Sequence, residues 1–434
     1  MRQLAHPFSA DFKPEPYWWE ASPQQPGDGT PLPKTTDIVI VGAGYTGLHA
    51  AIEAARAGRA TVVIDAEAAG WGCSTRNGGQ VSTSVKPSYA TLKKRYGDAL
   101  AVAILKEGQA SLDHVSGFIR DERIACDFAV TGRFHGAHTP GQFDALARDC
   151  DTRHPGFETG AYMVERGQQH SELGTDAYFG GAVFPRHASL DPGKYHAGLL
   201  DVARRAGVTI VSHCRVNTLA RNASGFDVAT DSGSIRAGRV ILATNGYTGP
   251  LSPWHQRRII PIGSYVIATE EISKDLMDRL FPTDRILSDT RKLVYYYRPS
   301  PDRKRVLFGG RVSLSETDPR LSGPKLRAEL VRLFPELENT RISHSWAGTV
   351  AFSFDTLAHC GEDDGLHYAM GYCGSGVGMA GYLGARAGRR AAGLDAEPSA
   401  FARIPHTSRP FYTGRPWFLA PSVALFRLRD RLGL

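Results

Sequence analysis

A chain of 434 residues, 42% hydrophobic and 22% charged, has enough material for a large core and for two or three structural domains. No low-complexity tract interrupts it, which excludes a largely disordered or fibrous protein. Lys plus Arg (51) exceed Asp plus Glu (44) by 7, but the basic residues are scattered, so no nucleic-acid partner is expected.

Residues 1–35 are rich in proline and aromatics, including Tyr17, Trp18 and Trp19, and read as an arm laid over a folded body. Residues 37–41 form an apolar run of strand length that ends on glycines, 45–58 continue as an alanine-rich helix, and 61–64 make a second buried strand. Strand, helix, strand is the unit that builds parallel sheets. After a glycine-rich loop at 70–80, apolar positions 101, 104, 105, 112, 115 and 119 mark an amphipathic helix over 97–120. Further on, the pattern predicts a helix over 191–206 and strands at 208–211, 226–229 and 239–243. An antiparallel sheet with one exposed face is expected within 263–310, with 293–298 as one strand. A small-sided helix over 377–392 stops at Gly393. Residues 1–16 lack the apolar run of a signal peptide, and no stretch of about 18 apolar residues would span a bilayer. With six cysteines (73, 126, 150, 214, 360 and 373) and no metal-ligand spacing, a cytoplasmic chain with reduced thiols and no metal site is expected.

Gly42, Gly44 and Gly47 form a G-x-G-x-x-G that directly follows the first strand and opens the helix, and Asp65 closes the second strand. Gly42 permits the tight turn, Gly44 lets the backbone approach a pyrophosphate, and Gly47 lets helix and strand pack closely. The helix start offers N–H groups and a positive dipole end to phosphates, and Asp65 would accept from ribose hydroxyls. This spacing suits a nicotinamide dinucleotide as well as a flavin one.

The loop from Gly70 to Gln80 narrows the choice. It resembles the flavin-side loop of the D-amino-acid-oxidase-like family of FAD oxidoreductases, especially the glycine-oxidase and gamma-glutamylputrescine-oxidase branches. The resemblance also covers residues 16–20, the glycine fingerprint, 239–246 and 346–377, with the turn Gly371, Tyr372, Cys373, Gly374, Ser375, Gly376 as a second specific element. It implies an α/β chain: a Rossmann-like FAD-binding domain with a central parallel sheet (36–95, 186–255 and 345–398) plus an α+β substrate domain with a large antiparallel sheet (96–185 and 256–344). An arm (1–35) and a tail (399–434) complete it. The resemblance further implies that Gly42, Ala43, Gly44, Tyr45, Thr46 and Gly47 hold the pyrophosphate, and that Asp65 and Ala66 meet the adenosine ribose. Ser74, Thr75, Arg76, Asn77, Gly78 and Gln80 line the diphosphate and flavin, the Val216 backbone meets the adenine, and Gly374, Ser375, Gly376 and Val377 face the pyrimidine side of the ring. Asp65 stands where this branch more often has glutamate.

The implied reaction is oxidation of the C–N bond of a small amine or amino acid. A hydride passes to flavin N5, the imine hydrolyses, and O2 reoxidises a non-covalently held FAD to give H2O2. Such a step needs no acid–base dyad, and none is visible. Substrate contacts are expected from Tyr296 and Arg298 on one strand face, the arginine as a carboxylate clamp, and from Lys292 as a cation that assists oxygen. Trp346 reads as a packing residue, and Asp355 falls in the same family stretch. Cys73 and Cys373 read as small hydrophobes, redox-sensitive groups or a flavin link. Two rivals stand beside the oxidase: a dehydrogenase that passes electrons to a membrane quinone, suggested by Arg427, Arg429 and Arg431 among apolar residues of the tail, and a tRNA-modifying FAD enzyme.

Overall fold

The computed structural model describes residues 6–27, 29–83, 85–151, 160–311, 317–394 and 397–432. Two sheets face one another across the molecule. The first is parallel at its centre, in the order Thr209–Val211, Thr61–Ile64, Thr35–Val41, Gly233–Leu242 and Leu366–Met370, with His359–Asp363 antiparallel beyond. Alternation within one strand builds two cores at once. Ile38 and Ile40 enter the core under the helices, whereas Val39 and Val41 enter a second core beneath the hairpin Val216–Asn222 and Gly225–Thr230. A strand buried on both faces reads as a continuous apolar run, which is why residues 37–41 show no polar alternation.

Helices Tyr45–Arg56, Pro192–Arg205 and Gly376–Ala392 cover the first of these faces. Helix Asp98–Asp121 joins them: its buried Ala101, Ile104, Leu112, Val115 and Ile119 belong to the same core as Ile38. This helix lies in the 96–185 stretch expected in the substrate domain, and it packs into the core beneath the parallel sheet. An amphipathic stripe specifies that a face is buried but not against which sheet.

The second sheet has nine strands, in the order Phe8–Lys13, Ile342–Phe352, Ile260–Thr269, Val306–Gly310, Tyr296–Pro299, Ile286–Asp289, Arg133–Gly136, Gly181–Phe184 and Tyr162–Val164. Most neighbours are antiparallel; Phe8–Lys13 and the pair Ile286–Asp289 with Arg133–Gly136 are parallel. The arm thus begins as an edge strand, and Ile342–Phe352 belongs to this sheet although 345–398 was expected in the cofactor domain. The strand expected at 293–298 starts only at Tyr296. Asp289 Oδ1 accepts from the N–H groups of Arg291 (3.3 Å) and Tyr295 (3.1 Å), which curls 290–295 into a loop.

Candidate cofactor and substrate site

A continuous cavity of about 2210 Å3 runs between the two sheets. That is well beyond the roughly 300–1,000 Å3 of an ordinary small-ligand pocket, so it has room for an extended cofactor together with a substrate.

At one end the walls are mainly backbone. Gly42 has φ +109° and donates its N–H to Ile64 O at 2.8 Å; a Cβ there would stand 2.9 Å from Ala243 O. A Cβ on Gly44 would lie 2.8 Å from Ser74 Oγ, and one on Gly47 would collide with the carbonyl of Gly42. Gly44, Tyr45 and Thr46 open a helix into the cavity, where first-turn N–H groups lack intrahelical partners. Ser74 Oγ takes the Tyr45 N–H at 2.9 Å. Asp65 lines the cavity and also knits the loop: Oδ2 accepts from Ala43 N–H at 2.7 Å and Oδ1 from Glu67 N–H at 3.0 Å. Burial raises its pKa, and these two bonds use two of its roughly four acceptor sites.

Ala66, Asn77, Gly78, Gln80 and Val216 also line the cavity. Ala43, Gly47 and Thr75 do not: they build the wall behind it. The Ala43 carbonyl accepts from His196 Nε2 at 2.8 Å, and Thr75 Oγ1 donates to Gly70 O at 2.7 Å.

Three tryptophans remote in sequence clamp this flavin-side loop. Trp18 Nε1 donates to Asn77 O (2.8 Å), Trp19 Nε1 to Thr75 Oγ1 (2.9 Å) and Trp346 Nε1 to Arg76 O (2.8 Å). The Arg76 guanidinium lies between the rings of Trp19 (4.8 Å) and Trp71 (4.7 Å), and burial lowers its pKa. Gln80 Nε2 reaches across to Leu287 O and Tyr297 O, tying the loop to the second sheet.

The turn before the last long helix forms the other wall. Gly374, Ser375, Gly376 and Val377 line the cavity. Cys373 has φ +53°, an unusual conformation for a residue with a side chain. Gly371 N–H donates to Asn245 Oδ1 at 2.9 Å, and Tyr372 OH meets Thr46 Oγ1 at 2.7 Å, so the two helix starts are joined directly. The Cys373 thiol bonds to Gly371 O at 3.1 Å and that of Cys73 to Thr349 O; burial pushes both pKa values up.

The floor opposite is the second sheet. Paired positions put Arg133, His135, Ser288 and Tyr296 on the face toward the cavity, and Phe134, Leu287, Tyr297 and Phe308 on the face toward that sheet's own core. Tyr296 OH meets Ser264 Oγ at 3.0 Å, its ring lies against Gly78 and Gly309, and burial raises its pKa to about 12.

Arg298 is not brought to this cavity. Its buried guanidinium donates to Gly79 O (3.1 Å), Leu190 O (3.0 Å) and Pro299 O (3.0 Å), so it staples the two sheets' loops together and offers no carboxylate clamp. Lys292 is exposed at the rim, where the Asp430 carboxylate accepts its backbone N–H at 2.8 Å and that of Leu293 at 3.1 Å.

Asp430 belongs to helix Leu419–Leu432, whose Leu419, Val423 and Phe426 line the cavity. Part of the tail expected to touch membranes is thus a wall of the site. Among the described residues, no helix is long and apolar enough to cross a membrane.

Sequence reasoning missed Lys86, Arg133 and His135. Lys86 follows no motif, and the two strand residues look like surface alternation until the register aims them inward.

A family model described as FAD dependent oxidoreductase matches residues 37–390. Gamma-glutamylputrescine oxidoreductase of Escherichia coli is 31% identical over 417 residues, 92% of this chain and 94% of that one. Among solved structures, glycine oxidase from Geobacillus kaustophilus superposes with a TM-score of 0.69 at 19% identity, covering 87% of this chain and 99% of that one. L-proline dehydrogenase from P. horikoshii does so with 0.68 at 18%, covering 82% and 93%.

Proposed function

The chain belongs to the FAD dependent oxidoreductase family, and from that premise we propose that it oxidises the C–N bond of a small amine or amino acid and passes the electrons to O2. The cavity fits this cofactor: its glycine walls would be filled by any Cβ, Asp65 lines it as an acceptor, and two helix starts meet it where phosphates and a reduced ring would carry negative charge. When bound, FAD supplies the two-electron acceptor.

The carrying observation is the composition of the floor beside the Gly374 turn. Tyr296 stays protonated, His135 is held well below the ordinary imidazole pKa by burial and by Arg133, and Asp289 is tied to Arg291. None of these three groups is a strong base, and a neutral amine that surrenders a hydride requires none. The cations Lys86 and Arg133 favour a neutral amine over its ammonium form. Thiols engaged with carbonyls and shifted upward by burial support non-covalent FAD. The names of the glycine oxidase and gamma-glutamylputrescine oxidoreductase relatives point to the same substrate class.

Anaerobic bleaching of the flavin by a panel of amines and amino acids tests the reading; if none bleaches it, the reading fails. Peroxide formed in air identifies O2 as the acceptor. A second reading, electron transfer to a membrane quinone, is favoured by the outer face of helix Leu419–Leu432, where Leu425, Leu428 and Leu432 are exposed beside Arg427 and Arg429. Turnover with quinone in anionic vesicles, and none in air, selects it.

A further inference from the structure

Helix Leu419–Leu432 carries apolar residues on two opposite faces, and the cavity uses only one of them. Leu419, Val423 and Phe426, three and four residues apart, turn inward and line the cavity. Leu425, Leu428 and Leu432 recur at the same spacing on the far side and are exposed. A helix that is apolar on both sides is ordinarily covered on both. Just before it, Phe411 and Trp417 are 93% and 72% exposed. These five are nearly half of the eleven large hydrophobic side chains exposed among the described residues, and all fall within 411–432. Exposed apolar residues scattered singly need no explanation, but a concentration of this kind marks a surface that something covers.

The charge of the same segment is one-sided. Residues 401–432 hold six arginines and a single acid, and that acid, Asp430, is turned to the N–H groups of Lys292 and Leu293. Around the helix, Arg427 and Arg429 fall between the two apolar stripes, one on each side, where long stems can lie along apolar matter while the guanidinium stays in a polar layer. The segment is fixed to the body from beneath: Arg258 Nε donates to His406 O at 2.7 Å, Tyr412 OH to Ile259 O at 2.6 Å, and the Tyr412 ring meets Phe354 edge-on at 5.2 Å. The exposed side chains are thus held as a set by those that pack inward. A second copy on this face would bring like charges together, because a two-fold pairing sets the same patch against itself. Phosphate groups would instead meet the arginines with charge-assisted hydrogen bonds.

We propose that the outer face of the tail, with Phe411, Trp417, Leu425, Leu428 and Leu432 as its apolar part and Arg427 and Arg429 at its edges, docks on the surface of an anionic phospholipid bilayer. The aromatic and leucine side chains enter the boundary between headgroups and acyl chains, and the arginines take the lipid phosphates. The contact is shallow and reversible, and it needs no spanning helix. Because the inner face of the same helix lines the cavity, the docked chain holds its site one helix diameter, about 10 Å, from the lipid. Docking goes beyond both readings of the reaction, since it holds whether O2 or a quinone takes the electrons.

Co-sedimentation of the FAD-loaded full chain with lipid vesicles tests the surface. Affinity for vesicles of phosphatidylcholine with about one-third phosphatidylglycerol should exceed that for pure phosphatidylcholine roughly tenfold, and should fall as salt is raised. The double variant Leu425→Ser, Leu428→Ser, on exposed side chains outside the cavity, should weaken binding to the anionic vesicles about tenfold, and Arg427→Gln with Arg429→Gln by a similar factor. Anionic vesicles should shift the tryptophan emission of the parent to the blue, and Trp417→Phe should remove most of that shift. Equal affinity for the two vesicles, or unchanged binding in the leucine variant, overturns the proposal. A dimer in sedimentation velocity that the leucine variant dissolves, with no vesicle binding by the parent, overturns it too and gives the face to a second copy. FAD content and bleaching by amines should match the parent in the leucine variant. A parent that binds anionic vesicles but is bleached by no amine keeps the docking surface and loses amine oxidation; one that is bleached but ignores vesicles does the reverse.

Discussion

At one end of the cavity the walls are main chain: Gly42, Gly44, the start of helix Tyr45–Arg56 and the turn at Gly374. At the other end they are side chains on a sheet floor, Arg133, His135, Ser288 and Tyr296, drawn from strands far apart in sequence. Main-chain walls demand glycine at set spacings, and a wrong side chain there is a steric error. Side-chain walls tolerate exchange, and a wrong residue changes which ligand is welcome more than whether the fold survives.

The two ends should therefore fail differently. The largest effect is expected from the clamp behind the cofactor end. Trp18→Ala removes a fully buried indole and its bond to Asn77 O, and should cost about 3–5 kcal/mol in urea unfolding together with much of the bound FAD. Gly47→Ala places a methyl on the Gly42 carbonyl, which cannot turn aside; a loss of about 3 kcal/mol and of FAD content is expected, read by denaturation and by the protein-to-flavin absorbance ratio.

Acid separates the ends by sign. His187, at the substrate end, has its folded pKa depressed to about 3 by burial, below an unfolded value near 6.5. The unfolded chain alone binds this proton between those values, so stability is full above about pH 6.5 and falls as pH drops toward 3, by about 2 kcal/mol between 6.5 and 5. Asp65 is shifted the other way: burial raises its folded pKa, so its contribution diminishes as pH rises through that value. The urea midpoint of the parent should fall more than that of His187→Gln between pH 6.5 and 5; parallel profiles would remove the histidine from the account.

The smallest effect sharpens the comparison most. Tyr296→Phe deletes one hydroxyl bonded to Ser264 and should cost only about 1 kcal/mol in stability, with FAD content unchanged and the effect concentrated in substrate KM. Loss of FAD from this variant would show that the two ends are not separable.

The same contrast explains what was legible beforehand. The strand at 37–41, the glycines, Asp65 and the helix ending at Gly393 are local patterns, each decided within a dozen residues by period or by steric demand. The loop at 70–80 was singled out by resemblance, but not the reason it holds its shape, because the partners of Trp18, Trp19 and Trp346 are set by tertiary packing. Arg298 shares a strand face with Tyr296, as alternation requires, yet the face passes beneath Gly79 and Leu190 within two residues. Alternation gives the side of a strand and not what covers it. Lys86 and Arg133 had no local signal, since only the fold brings their separate segments to one cavity.

The seam between helices Tyr45–Arg56 and Gly376–Ala392 has a consequence for length. A Cβ on Gly384 would strike the Thr46 carbonyl and one on Gly388 that of Ala50, so the helices touch backbone to backbone, and the Thr46–Tyr372 bond pins their starts. Neither helix can slide along the other without breaking that contact. The spacing between the two helix starts is thereby fixed, so any occupant that must meet both is held to one length.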